Sequence, residues 1–251
     1  MEKEELLFRK RIQELSRICF QRDIPVHTDF LNLYEQTIFF SLLSSLSSVK
    51  YQLAGGYKMA ERKVVCFLPS YEEKLYEYPF TCLIARPVNP RFAEELSHRD
   101  YLGALMNLGI ERSKIGDILI EDKICHIFCM EDMADYLCRE LNFVRHTNMV
   151  LEPAAIGELS ITPKFETVSG SVASLRLDCI LALAWQSSRS KMTPYIEGEK
   201  VFVNGRMITS NSYLLKEEDI VSVRGFGKFV YRGVETETKK GRLFITLDRY
   251  S

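Results

Sequence analysis

The dipeptide Asn204-Gly205, set between VFV (201–203) and Arg206, constrains this chain more tightly than any other pair of residues. Both residues accept the positive φ that a type I′ turn demands, so two strands must fold back on one another here. The hairpin belongs to a longer stretch, Leu175 to Phe229, whose first half has helical spacing. Leu177, Ile180, Leu181 and Ala184 make one apolar face and leave Arg176 and Asp178 on its flanks. Ser188 is placed to N-cap a second helix, whose first turn then offers Arg189 and Lys191 to solvent. The stretch closes in VSVRGFGKF (221–229), where glycines flank a basic and aromatic loop and let a backbone approach a sugar-phosphate chain. Phe229 is expected in the core. Phe226 could stack on a base or plug the small barrel.

Charge is divided unevenly along the chain. The whole sequence of 251 residues carries a net charge of −1, which taken alone argues against a polyanionic partner. From Val168 to the end, however, 13 basic residues face 9 acidic ones, against 20 and 25 before it. A basic C-terminal third on an acidic body describes a local anion-binding surface.

The order of these motifs resembles the S4 RNA-binding domain: R-L-D at 176–178, S-R at 188–189, V-x-V-N-G at 201–205, Asp219, then V-x-V-R-G-x-G-K-F at 221–229. With two further domains upstream, nearly the whole chain resembles the YlmH-type S4 proteins. That resemblance implies an RNA surface built from the helix pair, Arg176, Ser188, Arg189 and Lys191, with Asn204, Arg206, Arg224 and Lys228 added from the strands. It implies structured ribosomal or transfer RNA as partner. It further implies work on the large ribosomal subunit carrying peptidyl-tRNA, in the quality control of stalled ribosomes, with a link to cell division. Three departures stand out: Gly198 falls one residue early so that Glu199 takes the usual glycine position, Pro194 lies inside the second helix, and Glu218-Asp219 replaces Gly-Asp.

Upstream, Phe8, Ile12, Leu15 and Cys19 recur at helical spacing within 4–22. A second helix is expected from Asp29 as N-cap to about Ser47, with Phe30, Leu33, Thr37, Phe40 and Ser44 on one side. Gly55-Gly56 breaks it, and Val64 to Leu68 reads as a strand. For Gly55-Gly56-Tyr57 with Ala60, Glu61 and Arg62, a tight turn carrying solvated or locally paired charges weighs above an approach to RNA or to a neighbouring domain. From residue 79 the pattern is regular: strand 79–88, a helix capped by Ser97 and stopped at Gly109, strands 116–122 and 123–130, helix 131–143 and strand 144–152. This β-α-β-β-α-β order is ferredoxin-like or RRM-like. The third strand, KICHIFCM, lacks the Gly-aromatic signature of a base-stacking RRM, so stacking on this sheet is not expected. Arg86, Arg91, Arg99, Arg112 and Lys114 read as ordinary surface cations. Residues 153–174 should hold one strand, ITPKFETV, and a linker, and Lys239, Lys240 and Arg242 should sit in a turn between strands.

The fold class is therefore α+β in three modules: an N-terminal α/β segment (1–76), an RRM-like central domain (77–165) and a C-terminal S4 domain (166–251). Seven scattered cysteines include no C-x-x-C, and Cys125-His126 with Cys129 lies in an apolar strand, so buried reduced thiols are expected, with no metal and no cofactor. The charged N-terminus and short apolar runs predict neither signal peptide nor membrane span, hence a cytoplasmic protein, monomeric when free. No catalytic residue is assigned. His98-Arg99-Asp100 is a chance echo of the kinase catalytic loop, since position 105 is Leu and no glycine-rich loop precedes it. A methyltransferase would need a glycine-rich loop after an early strand, which is missing. The function expected is non-enzymatic RNA binding, with an RNA-modification enzyme or accessory factor guided by the S4 domain as the alternative and a protein adaptor for cell division as a third class.

Overall fold

A computed structural model describes residues 2–75, 77–156, 165–237 and 241–250. The chain divides into two compact units, residues 1–161 and 162–251.

In the first unit, α1 (Glu2–Arg22) buries Ile12, Leu15 and Cys19. After β1 (Val26–His27) comes α2 (Leu33–Leu42), extended by one 3₁₀ turn. The N-cap of α2 is Asn32, three residues later than expected. Asn32 and Glu35 form a capping box in which each side chain accepts from the other's backbone N–H. Asp29 instead pairs with Lys114 at 3.0 Å. The buried face is not the expected one: Gln36, Ile38, Phe39 and Leu42 are buried and Thr37, Phe40 and Ser44 are exposed. Then β2 (Lys50–Ala54) and β3 (Val64–Leu68) make an antiparallel hairpin, with β1 on the far side of β3.

The central elements follow as β4 (Phe80–Pro87), α3 (His98–Asn107), β5 (Ile115–Glu121), β6 (Ile124–Met130), α4 (Glu131–Glu140), β7 (Phe143–Val144) and β8 (Thr147–Ala154). They form a sheet in the order β5-β6-β4-β8-β7, antiparallel throughout. Here α4 stops three residues short of the expected end, and the single strand expected over 144–152 is a hairpin. Arg145, at φ 54°, makes the turn between β7 and β8. Strand alternation splits the sheet's faces. Cys125, Ile127 and Cys129 pack with Tyr101, Leu105 and Leu137 of the helices, while Phe128 and Met130 pack with Phe30, Val64 and Cys66 of the N-terminal elements. Burial pushes the thiols of Cys66 and Cys82 up to about 12 and that of Cys125 well above its usual value, so these are unreactive packing residues.

The Gly55-Gly56-Tyr57 stretch joins the two parts of this unit. Gly56 has φ 91°, and a Cβ there would lie 2.2 Å from the Phe128 ring. Tyr57 stacks on Phe128 at 5.5 Å and its hydroxyl donates to Asp117 at 2.7 Å. Asp117 also accepts from the amides of Glu61 and Arg62. Arg62 is not solvated: its guanidinium donates to the carbonyls of Ile115, Phe30 and Arg112 at 2.9, 2.8 and 3.2 Å. Desolvation pulls its pKa down, against the pull of Glu35 and Asp117. The aromatic ring on the third central strand, Phe128, is thus already covered by the chain itself.

In the second unit β9 (Phe165–Val172) precedes α5 (Leu177–Ala184), α6 (Arg189–Glu197), β10 (Val201–Val203), β11 (Arg206–Met207), β12 (Ile220–Val223), β13 (Gly227–Glu237) and β14 (Leu243–Tyr250). The strands form one sheet in the order β11-β10-β12-β13-β14-β9. The run SGSV (169–172), expected as linker, continues the strand: β9 pairs along its length with β14, from Phe165–Tyr250 to Val172–Leu243. The first four residues of the expected strand ITPKFETV, and Lys239 and Lys240, lie outside the described residues. Arg242 donates to the Ser171 carbonyl at 2.6 Å. Leu177, Ile180, Leu181 and Ala184 are fully buried against Val201, Val221, Phe229 and Ile245.

Candidate nucleic-acid interface

The helix pair is held in place by backbone geometry. Arg176 is the N-cap of α5 and pairs with Leu214 in an isolated bridge, while Leu177 N–H donates to the Tyr213 carbonyl. Both helices end in the same turn. After α5, Ser187 N–H donates to Ala182 O and Gln186 N–H to Leu183 O, with Gln186 at φ 47°. After α6, Lys200 N–H donates to Tyr195 O and Glu199 N–H to Ile196 O, with Glu199 at φ 59°. These are Schellman turns, whose left-handed position normally takes glycine. Glu199 and Glu218 (φ 68°), two of the noted departures, both occupy such backbone. Pro194 is accommodated within α6.

The first Schellman turn returns the chain so that Ser188 caps α6, accepting from Lys191 N–H at 3.2 Å, and Arg189 comes back over α5. There it meets Asp178. The Asp178 side chain is only 4% exposed and receives Arg189 Nε at 3.0 Å and Arg176 Nε at 3.1 Å, with a second guanidinium nitrogen from each. Burial alone would raise the Asp178 pKa. The hydrogen bonds from Arg189, then Arg176, overcome this and hold it below the usual carboxylate range. Arg176 and Arg189 are 41% and 55% exposed, so one buried carboxylate orients two guanidiniums whose outer faces meet solvent. Lys191, two residues further along α6, is exposed and makes no ion pair among the described residues. Asp178 is the residue organising the two arginines that spacing did not single out. Its sign runs against a basic site, and its partner lies eleven residues away across a turn.

The remaining candidates lie on the sheet. Asn204 (φ 48°) and Gly205 (φ 74°) make the left-handed pair expected of the hairpin. The Asn204 side chain donates to Asp219 at 2.7 Å and accepts from Ile220 N–H at 2.9 Å, so both its ends are engaged in joining β10 to β12. Arg206 is exposed on β11. Arg224 is exposed in the β12–β13 turn, its guanidinium 5.1 Å from the Phe202 ring centre, and Lys228 sits 4.2 Å over the Tyr250 ring. Gly225 and Gly227 have φ 89° and 111° with open space around them, so conformation alone requires glycine at both. Phe226 packs on Trp185 and Tyr195 at 5.4 and 4.9 Å, which makes it a half-buried plug beside the helix pair. Contacts therefore unite Arg176 and Arg189 through Asp178, with Ser188 capping α6 through the Lys191 amide, while no contact joins Arg206, Arg224 and Lys228 to them or to one another among the described residues.

Residues 175–221 match the family profile described as S4 domain, and residues 80–158 match one described as "Putative RNA-binding domain in YlmH". The chain is also 32% identical over 254 residues to "Ribosome-associated protein quality control protein P2" of Bacillus subtilis (strain 168), covering 98% of this chain and 96% of that protein. The chain belongs to the YlmH family of S4-domain proteins. The solved structure titled "Cell division protein ylmH from Streptococcus pneumoniae" is similar with a TM-score of 0.54 and 17% identity, over 63% of this chain and 95% of that one. At that identity the likeness concerns the fold alone. The YlmH and S4 assignment places the helix pair, with Asp178 at its centre, within the matched S4 segment.

Proposed function

We propose that this YlmH-family protein binds structured ribosomal or transfer RNA through the α5–α6 face of its S4 domain, on the large ribosomal subunit, in the quality control of stalled ribosomes. The observation that carries this reading is Asp178 holding both Arg176 and Arg189 at the surface, at the start of the helix that also carries exposed Lys191. RNA phosphates are met most economically by cations already fixed on a rigid frame, since ordering costs are then small. The printed name of the Bacillus relative, a ribosome-associated quality-control protein, supports the choice of the ribosome. Neither matched profile describes an enzyme, and the function is read as binding, in a cytoplasmic protein that is monomeric when free.

The three-module layout with boundaries near 76 and 165 belongs to the same proposal. The strand order β5-β6-β4-β8, with α3 and α4 packed on one face, supports an RRM-like centre. Its RNA contribution would come from edges and loops, because Phe128 is buried under Tyr57. Salt tests the mechanism. Each phosphate contact contributes about 0.7 to 0.9 to the slope of log affinity against log salt, so three helix cations predict a slope of about −2 or steeper. A salt-insensitive complex would overturn the phosphate-based reading.

A further inference from the structure

The first unit spends most of its described cations internally. Lys50 pairs with Glu73, Lys114 with Asp29 and Asp132, and Arg86 with Glu152. Lys123 donates to the carbonyls of Pro90 and Ala93, and Arg62 caps three carbonyls. Lys58 and Lys63, like several other cations of this unit, make no ion pair among the described residues; what distinguishes them is that both line one cleft of about 360 Å³. Gly55 and Gly56 form part of its wall, and Gln52 and Tyr78 complete the polar and aromatic lining. None of the lining residues is acidic. The carboxylates of Glu72 and Glu77 line a different cleft, which Tyr78 also borders.

The glycines are required by close approach to Ala60, Arg62 and Phe128, and that same approach leaves polar groups open to the cleft. The amides of Gly56 and Lys58 donate to no acceptor among the described residues. A Cβ on Gly55 would come 3.4 Å from Lys63 Cγ, so the lysine stem runs along the bare glycine. Gln52 Oε1 accepts from Leu75 N–H at 2.9 Å, which fixes the amide and leaves its NH₂ to donate elsewhere. Tyr78 is 41% exposed and is braced from behind by buried Phe80 at 5.2 Å. Two unpaired cations and free amides suit a phosphate, and a braced, open aromatic ring beside an amide donor suits a base.

We propose that this cleft binds one nucleotide of single-stranded RNA, its phosphate on Lys58, Lys63 and the loop amides and its base against Tyr78. The inference extends RNA binding to a unit that the S4 reading does not involve, and it rests on that reading only for the class of partner. The test uses the full chain with Arg189→Ala and Lys191→Ala, which silences the helix-pair surface, and a fluorescein-labelled hexauridylate carrying one 4-thiouridine. Anisotropy reads affinity, and irradiation followed by peptide mapping reads the contact. A crosslink at Tyr78 or in 52–63 is expected. Adding Lys58→Ala and Lys63→Ala should flatten the salt slope by about 0.7, the contribution of one single-strand phosphate contact. Tyr78→Ala should weaken binding about five- to 100-fold, and Lys58→Arg with Lys63→Arg should retain the parent affinity. The single exposed change Lys58→Glu should also weaken binding, in a protein whose thermal melt matches the parent. Crosslinks confined to residues 165–250 or an unchanged slope in the lysine variant would each overturn the proposal. Failure of the S4 reading shows separately, as unchanged affinity of the Arg189→Ala, Lys191→Ala protein for structured RNA.

Discussion

Asp178→Asn removes one charge and almost no volume, and it isolates what the buried carboxylate does for the two arginines. Because Arg176 and Arg189 are about half exposed, the variant leaves no buried cation unpaired. Its stability cost should stay at about 1–2 kcal/mol, the value of charge-assisted hydrogen bonds at a partly solvated site. For RNA affinity two effects oppose. Removing a negative charge favours phosphate, but at roughly 7 Å in water the Coulomb energy is about 0.6 kcal/mol and salt screens more than half of it. Releasing two long side chains costs about 0.5–1.5 kcal/mol each when RNA must order them again, about 1–3 kcal/mol together. Ordering wins, so the affinity for a labelled ribosomal RNA hairpin should fall about three- to 100-fold by fluorescence anisotropy. The salt slope should not change, because the number of cations is unchanged. Equal or tighter binding by a folded Asp178→Asn protein would refute the claim that this carboxylate preorganises the surface.

Other consequences are as specific. Glu199→Gly should stabilise the second unit by about 0.5–1 kcal/mol in thermal or urea melts, since relief of left-handed strain exceeds glycine's added chain entropy. Glu218→Gly should be close to neutral, because Glu218 also pairs with Arg232 at 2.6 Å. Arg62→Met should destabilise the first unit by about 3 kcal/mol or more by leaving the carbonyls of Phe30 and Arg112 without this donor. The units should also respond differently to acid. His126 has its pKa lowered by desolvation, with Glu121 and Arg86 acting in opposite senses, and its buried Nδ1 has no partner among the described residues. Its contribution is complete above the unfolded value of about 6.5 and is lost as pH falls below it. Asp178 and Asp248 are depressed, burial being outweighed by arginine hydrogen bonds, so their contribution is present above about 3.9 and lost only as pH falls through their native values. Hydrogen exchange between pH 7 and 3 should show protection weakening in the first unit before the second.

What could be read from the sequence was what local chemistry decides. Asn204-Gly205, Ser97 and Ser188 each act within a few residues, and all three do what their neighbours imply. The start of α2 was misplaced because Asp29 and Asn32 are both good caps, and only Glu35, three residues after Asn32, settles the choice through its reciprocal bond. Strand β1 is two residues long and exists only through its pairing with β3, so no periodicity could announce it. In β9, Ser169 and Gly170 look like linker, yet Ser169 bonds Thr246 at 2.8 Å and Gly170 makes room for Leu183. For the site, positive charge was legible and its organisation was not. Asp178 joins residues 176 and 189 through a turn whose left-handed residue is Gln186, where glycine would have been the signal. Lys58 and Lys63 look like any surface lysines until the fold brings them to one cleft.

Sedimentation with purified ribosomal subunits tests the central claim most directly. The native protein should travel with large subunits at moderate salt, and Arg189→Ala with Lys191→Ala should remain in the supernatant while melting as a folded protein. Co-sedimentation of that double variant at the native level, or association with small subunits alone, would contradict the account.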